Sequence, residues 1–146
     1  MKTRTIIEEL TQADLVDLLC TATYGSQWLE IYAPDREGVE IEEKDCREDV
    51  WAKCLLAGKT IECTDLYSEG EWNYGKLPHK IDDSGYVVYS VTLQDIKNGL
   101  QECADGNAGS WCLTCFNTFR ENDGGLDNPQ AEYLMQIILF GELIYG

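Results

Sequence analysis

Seven cysteines, one histidine and a surplus of acids are the residues with chemical potential in this 146-residue chain. Trp111-Cys112-Leu113-Thr114-Cys115 sets two thiols at C-x-x-C spacing. Such a pair does dithiol redox chemistry when a helix N-terminus lowers one thiol's pKa, or supplies half of a tetrahedral zinc site. A redox pair of that kind should follow a strand and open a long helix early in a βαβ unit. This one lies late, between glycine-rich segments. Zinc would need two further ligands, and the chain holds only His79 and no second C-x-x-C. A set of cysteines alone, borrowing Cys103 or Cys46, stays open. Cys112 and Cys115 are thus the metal candidates, with packing as small hydrophobes their expected role. Cys20, Cys54 and Cys63 sit among apolar neighbours and are expected in the core.

Nucleophilic catalysis needs a base beside a serine or cysteine. His79, between Pro78 and Lys80, reads as a solvated loop residue. Gly106-Asn107-Ala108-Gly109 lacks the Lys and Ser/Thr of a phosphate loop, and Asp123-Gly124-Gly125-Leu126-Asp127 lacks the ligand spacing of a calcium loop. The paired acids Glu8-Glu9, Glu42-Glu43, Glu48-Asp49 and Asp82-Asp83 show no convergence from separate elements, so each reads as a solvated face. The expectation is a protein that is not an enzyme and uses no cofactor.

The formal net charge is −16, from 27 Asp+Glu against 11 Lys+Arg. That balance excludes direct nucleic-acid binding through a basic face and disfavours an anionic membrane. The excess is spread, with 17 acids and 7 bases in residues 1–73 and 10 and 4 in the rest. Its densest part is 34–49, where Glu37, Glu40, Glu42, Glu43, Asp45, Glu48 and Asp49 crowd together. No apolar run is long enough to span a bilayer, and Met1 to Leu10 lacks a signal-peptide core. With an odd number of cysteines, the expected compartment is the cytoplasm, with thiols reduced.

The elements that must position these residues follow from capping and periodicity. Thr11 with Asp14 starts a helix bearing Leu15, Leu18, Leu19 and Ala22, ended by Gly25. Residues 28–32 read as a strand with Trp28, Glu30 and Tyr32 on one face. Val50 to Ala57 reads as a short helix, and 59–66 and 85–91 as paired strands. Between them, 67–84 is a long polar loop carrying Trp72, Tyr74 and His79, a candidate functional loop. Thr92 and Asp95 cap a helix to Ala104, 112–119 is ambiguous, and Pro129 after an Asn128 cap opens a helix to Gly141. Leu143 to Gly146 is apolar enough to pack back on the body. The sum is one α+β domain over 1–146, a small antiparallel sheet with helices packed on one face.

The ending Ala131-Glu132, Gln136 and Leu139-Phe140-Gly141-Glu142-Leu143-Ile144-Tyr145-Gly146 resembles that of small acidic accessory proteins from phages and integrative elements of gut Firmicutes. Asp14-Leu15-Val16-Asp17, the turn at 25–28, Leu56-Ala57-Gly58-Lys59-Thr60 and the run from Tyr89 to Leu100 agree in order. Residues 34–49, 67–84 and 103–115 depart from it. The resemblance implies mobile-element cargo and carries no activity. A structural role for the ending is expected, with Phe140-Gly141 a helix cap and Tyr145-Gly146 a closing strand.

Together these readings predict an acidic binding protein whose partner is another protein, of the kind that grips nucleic acid through a basic surface. Carboxylates on a rigid body would mimic DNA phosphates and antagonise a nuclease or regulator, as anti-restriction and anti-CRISPR proteins do. The candidate contacts are the seven acids of 34–49 with Trp72 and Tyr74. A generic adaptor or regulator of mobile-element transfer is the alternative, and a thiol-based metal protein the third. Oligomeric state is left open.

Overall fold

A computed structural model describes residues 7–68, 75–121 and 124–145. Helix α1 (Gln12–Thr23) begins where Thr11 accepts from the Asp14 amide and Asp14 accepts from the Thr11 amide, a reciprocal cap that satisfies two otherwise orphaned donors. The same device, with Thr92 and Asp95, opens α3 (Leu93–Ala104). Both starts follow from Thr-x-x-Asp. Helix α2 (Arg47–Leu56) starts three residues earlier than its apolar pattern predicts, because Cys46 and Asp49 form a cap. The ambiguous 112–119 segment lies in α4 (Ser110–Glu121). Helix α5 (Asn128–Phe140) is capped by Asp127 rather than Asn128. The Asn128 amide instead donates to the Thr21 and Ala22 carbonyls, tying the start of α5 to the end of α1.

Strands β1 (Leu29–Tyr32), β2 (Ile61–Asp65), β3 (His79–Ile81) and β4 (Val87–Val91) form an antiparallel sheet in the order β1-β2-β4-β3. The expected pairing of the 59–66 and 85–91 strands is the centre of this sheet, with Cys63 opposite Tyr89. The expected loop 67–84 is corrected at its end. His79 belongs to β3, an edge strand, opposite Tyr89. Three exposed residues give no readable alternation, so the strand had no signal.

Alternation puts Leu29, Cys63, Tyr89 and Val91 toward the helices, while Glu30, Tyr32, Glu62 and Lys80 face outward. Trp28 breaks the expected pattern. It precedes β1 and is buried, 5.7 Å from Phe140 and 5.4 Å from Tyr145 by ring centroids. The core joins Leu15, Leu18 and Leu19 of α1 to Leu134, Met135 and Ile138 of α5 and to Ile96 and Leu100 of α3. Gly99 lets α3 and α5 close together, since a Cβ there would stand 2.6 Å from the Ile138 Cα.

The chain's last turn is closed by side chains. Gly141 caps α5 at φ +77°, a left-handed conformation that glycine takes without Cβ strain. Gln136, buried in α5, accepts from the Ile144 and Tyr145 amides at 2.7 and 2.8 Å and donates to the Tyr145 carbonyl at 3.0 Å. The Tyr145 hydroxyl donates to Asp65 Oδ2 at 2.6 Å. The Phe140-Gly141 cap is as expected, but Tyr145 joins no strand. Among the described residues, no helix is long and apolar enough to cross a membrane.

Candidate functional site

Residues 34–46 wrap the outside of α2 as an irregular segment held by its own polar groups. Asp35 accepts from the Glu37 amide at 3.0 Å and from Lys59 Nζ at 3.2 Å. Asp45 accepts from the Glu42 amide at 2.8 Å and pairs with Lys53 of α2 at 2.5 Å. Asp49 accepts from the Cys46 amide and thiol and from Gln12 of α1. These bonds stabilise the ionised carboxyls. The Glu37 amide and Lys59 lower Asp35, Lys53 and the Glu42 amide lower Asp45, and the Cys46 thiol and amide lower Asp49. For Glu48, burial acts upward but is outweighed by Arg47 and Cys46, and the net shift is downward.

The seven predicted acids therefore divide. Asp45, Glu48 and Asp49 are half-buried and build the segment. Glu37, Glu40, Glu42 and Glu43 are exposed, and among the described residues only Glu42 has a cation, Lys44 at 3.2 Å. The nearby bases are already engaged. Arg36 donates to the Ala33 carbonyl and lies over the Tyr32 ring, while Arg47 pairs with Glu48 over Trp51. Lys53 and Lys59 are held as described. The segment thus presents a strip of carboxylates on a pinned backbone. Trp72 and Tyr74 lie outside the described residues.

Beneath the strip runs a groove of about 670 Å³ between residues 38–42 and α2. Val39, Ile41 and Leu56 supply its apolar wall, and Glu40 and Glu42 its acidic rim. Ile41 and Leu56 are 40% and 43% exposed. Sequence reading missed this groove, because Ile41 lies among acids and Leu56 ends a helix whose apolar stripe points inward.

Five of the seven thiols pack as core. Cys54, Cys63, Cys103, Cys112 and Cys115 are buried, Cys20 is half-buried, and Cys46 is exposed. Cys103 of α3 faces Cys112 and Cys115 of α4, and burial pushes its thiol up to about 12, with the two neighbouring sulfurs adding to the rise. Burial likewise pushes Cys115 up to about 11. Raised thiols are poor nucleophiles. Among the described residues, no group of three or more His, Cys, Asp or Glu side chains is placed to hold a metal ion. His79 is exposed, its Nδ1 3.3 Å from the Leu77 carbonyl oxygen.

A second concavity, of about 380 Å³, lies between the turn that follows α1, the start of α5 and Tyr145, with Trp28, Tyr67 and Tyr133 also in its wall. Compared with known proteins, the chain matches no family model, no curated protein and no solved structure.

Proposed function

We propose that this chain is a non-catalytic binding protein of a mobile genetic element that uses its acidic strip to dock on the basic surface of a nucleic-acid-binding protein. The observation that carries this reading is the division of charge in residues 34–49. Asp35, Asp45 and Asp49 hold the backbone, so Glu37, Glu40, Glu42 and Glu43 project from a fixed frame while neighbouring cations are occupied. Carboxylates carried on a pinned backbone spare the cost of ordering that backbone on binding, and they steer a basic partner over the range of a Debye length. A host nuclease or DNA-binding regulator fits that chemistry, with the carboxylates standing in for phosphates. The likeness of the ending to mobile-element accessory proteins points the same way, and the expected compartment is the cytoplasm.

The test is capture of partners from a host lysate, eluted in salt steps. The wild type should release a nucleic-acid-binding protein by about 0.5 M salt, where the Debye length is about 4 Å. The Glu37→Gln, Glu40→Gln, Glu42→Gln, Glu43→Gln variant should keep its fold and lose that partner, since exposed substitutions cost little stability. Unchanged binding by the variant refutes the assignment.

The groove favours a second reading, a protein–protein adaptor gripping an apolar segment through Val39, Ile41 and Leu56. Binding that survives high salt and is lost in Ile41→Ser would select it.

A further inference from the structure

The groove beneath the acidic strip joins two chemistries in one open space. Val39 and Ile41 of the irregular segment and Leu56 and Ala57 at the end of α2 line it. Ile41, Leu56 and Ala57 are exposed and Val39 is half-buried, so this apolar wall is open to a ligand. The rim is Glu40 and Glu42, both exposed. The remaining polar side chains of the lining are engaged. Gln12 donates to Asp49 Oδ1 at 3.3 Å, and Lys53 pairs with Asp45. Lys44 meets Glu42 at 3.2 Å, but both are largely exposed, and such a pair is weak and easily exchanged.

The segment is pinned on either side of its two outermost residues. The Val39 amide donates to the Arg36 carbonyl at 3.1 Å, and the Glu42 amide to Asp45 Oδ2 at 2.8 Å. Between them, the Glu40 and Ile41 amides donate to no group among the described residues. Two main-chain donors are thus held open on a backbone that is already ordered.

These features select the occupant. A nucleic acid is repelled by Glu40 and Glu42. A wholly apolar segment would desolvate those carboxylates without pairing them. A wholly basic segment would leave the wall of Val39, Ile41 and Leu56 in water. A segment in which an apolar residue lies between lysines or arginines meets both demands. Its apolar side chain covers the wall while its cations reach the rim. In extended form, its carbonyls can accept from the Glu40 and Ile41 amides.

We infer that the groove takes a segment of a partner protein in which an apolar side chain is flanked by lysine or arginine. The inference rests on the docking role proposed above and adds an apolar anchor to it: charge steers the partner, and the anchor fixes where it lands.

The test is fluorescence anisotropy of three labelled heptapeptides titrated with the full chain at low salt. The first carries lysine or arginine at every position except the third and fifth, which are leucine. The second has serine in place of leucine, and the third has glutamine in place of the basic residues. The leucine-bearing basic peptide should bind about tenfold more tightly than the serine peptide, the scale of covering one leucine. It should exceed the glutamine peptide by a similar factor. Ile41→Ser and Leu56→Ser, both at exposed positions, should each cut the preference for leucine over serine to about threefold or less, with the melting curve in place. The double variant Glu40→Gln, Glu42→Gln should weaken both basic peptides alike and leave that preference standing. Equal binding of the leucine and serine peptides by the wild type, with both lost in the double variant, overturns the inference and leaves the proposed docking intact. Failure of the wild type to bind either basic peptide overturns both. A glutamine peptide as tight as the basic one, or a leucine preference unchanged in Ile41→Ser and Leu56→Ser, also overturns the inference.

Discussion

Replacing Gly99 by alanine should destabilise the protein, although helix propensity alone argues the reverse. In the middle of a helix, alanine is favoured over glycine by up to about 1 kcal/mol. At this position the new methyl would stand 2.5 Å from Ile138 Cγ1 and 2.6 Å from Ile138 Cα. Carbon atoms pack at about 3.5–4.0 Å, so the shortfall is about 1 Å. Cγ1 can rotate aside, but Cα is backbone, so α3 must move away from α5. Overpacking of this kind costs about 1–3 kcal/mol, and the local strain here belongs at the upper end. The net loss is then about 1–2 kcal/mol, a fall in Tm of roughly 2–8 °C for a chain of this size. Thermal unfolding followed by circular dichroism, with exposed Glu102→Ala in the same helix as a control, measures it. A Tm for Gly99→Ala equal to or above wild type would refute the close α3–α5 approach and the reasoning built on it.

Two other outcomes follow from the polar contacts. Gln136→Leu removes three bonds to the 144–145 backbone at nearly constant volume, and should cost about 2–4 kcal/mol through the groups left unpaired. Hydrogen exchange at the Ile144 and Tyr145 amides should accelerate in that variant; unchanged protection would mean that something else holds the turn. Asp35, Asp45 and Asp49 have folded pKa values below their unfolded ones, so their stabilisation is present at neutral pH and is lost as pH falls below about 4 and through the folded values. Asp65 has the opposite sign. Its pKa is raised by burial despite the Tyr145 bond, so its penalty is complete only above its folded value and disappears below the unfolded one. Asp45→Asn should therefore flatten the acid limb of a stability-versus-pH curve, and Asp65→Asn should steepen the net loss on acidification. Curves that superimpose on wild type would contradict both.

Much of the fold was legible because its helix starts are local chemistry. Thr11 with Asp14 and Thr92 with Asp95 announce α1 and α3 by residue type and spacing alone. The β2–β4 pairing was legible from the alternation of Ile61 and Cys63 and from the strand-forming run of residues 85–91. What escaped needs distance information. Asp127 outcompetes Asn128 as cap because Asn128 is drawn to the carbonyls of a helix more than a hundred residues away. Trp28 looks like a strand residue on the Glu30 face until the ring of Tyr145 is placed beside it. For the candidate site, residue type marked the acidic segment but could not separate Asp45 and Asp49, which build it, from Glu37 and Glu40, which are offered outward. That distinction depends on where Lys53 and the Cys46 amide fall. The second concavity was illegible altogether, since its walls come from four separate parts of the chain.

The contact between the first and last helices has a consequence for how the protein is made. Asn128 and Thr21, bonded across this seam, are 107 residues apart. The apolar stripe of Leu15, Leu18, Leu19 and Ala22 therefore emerges from the ribosome long before Leu134 and Ile138 exist to cover it. At about 5–20 residues per second, that interval is on the order of 5–20 seconds. A nascent chain in that state exposes apolar surface to aggregation, and its yield should depend on how fast α5 is translated.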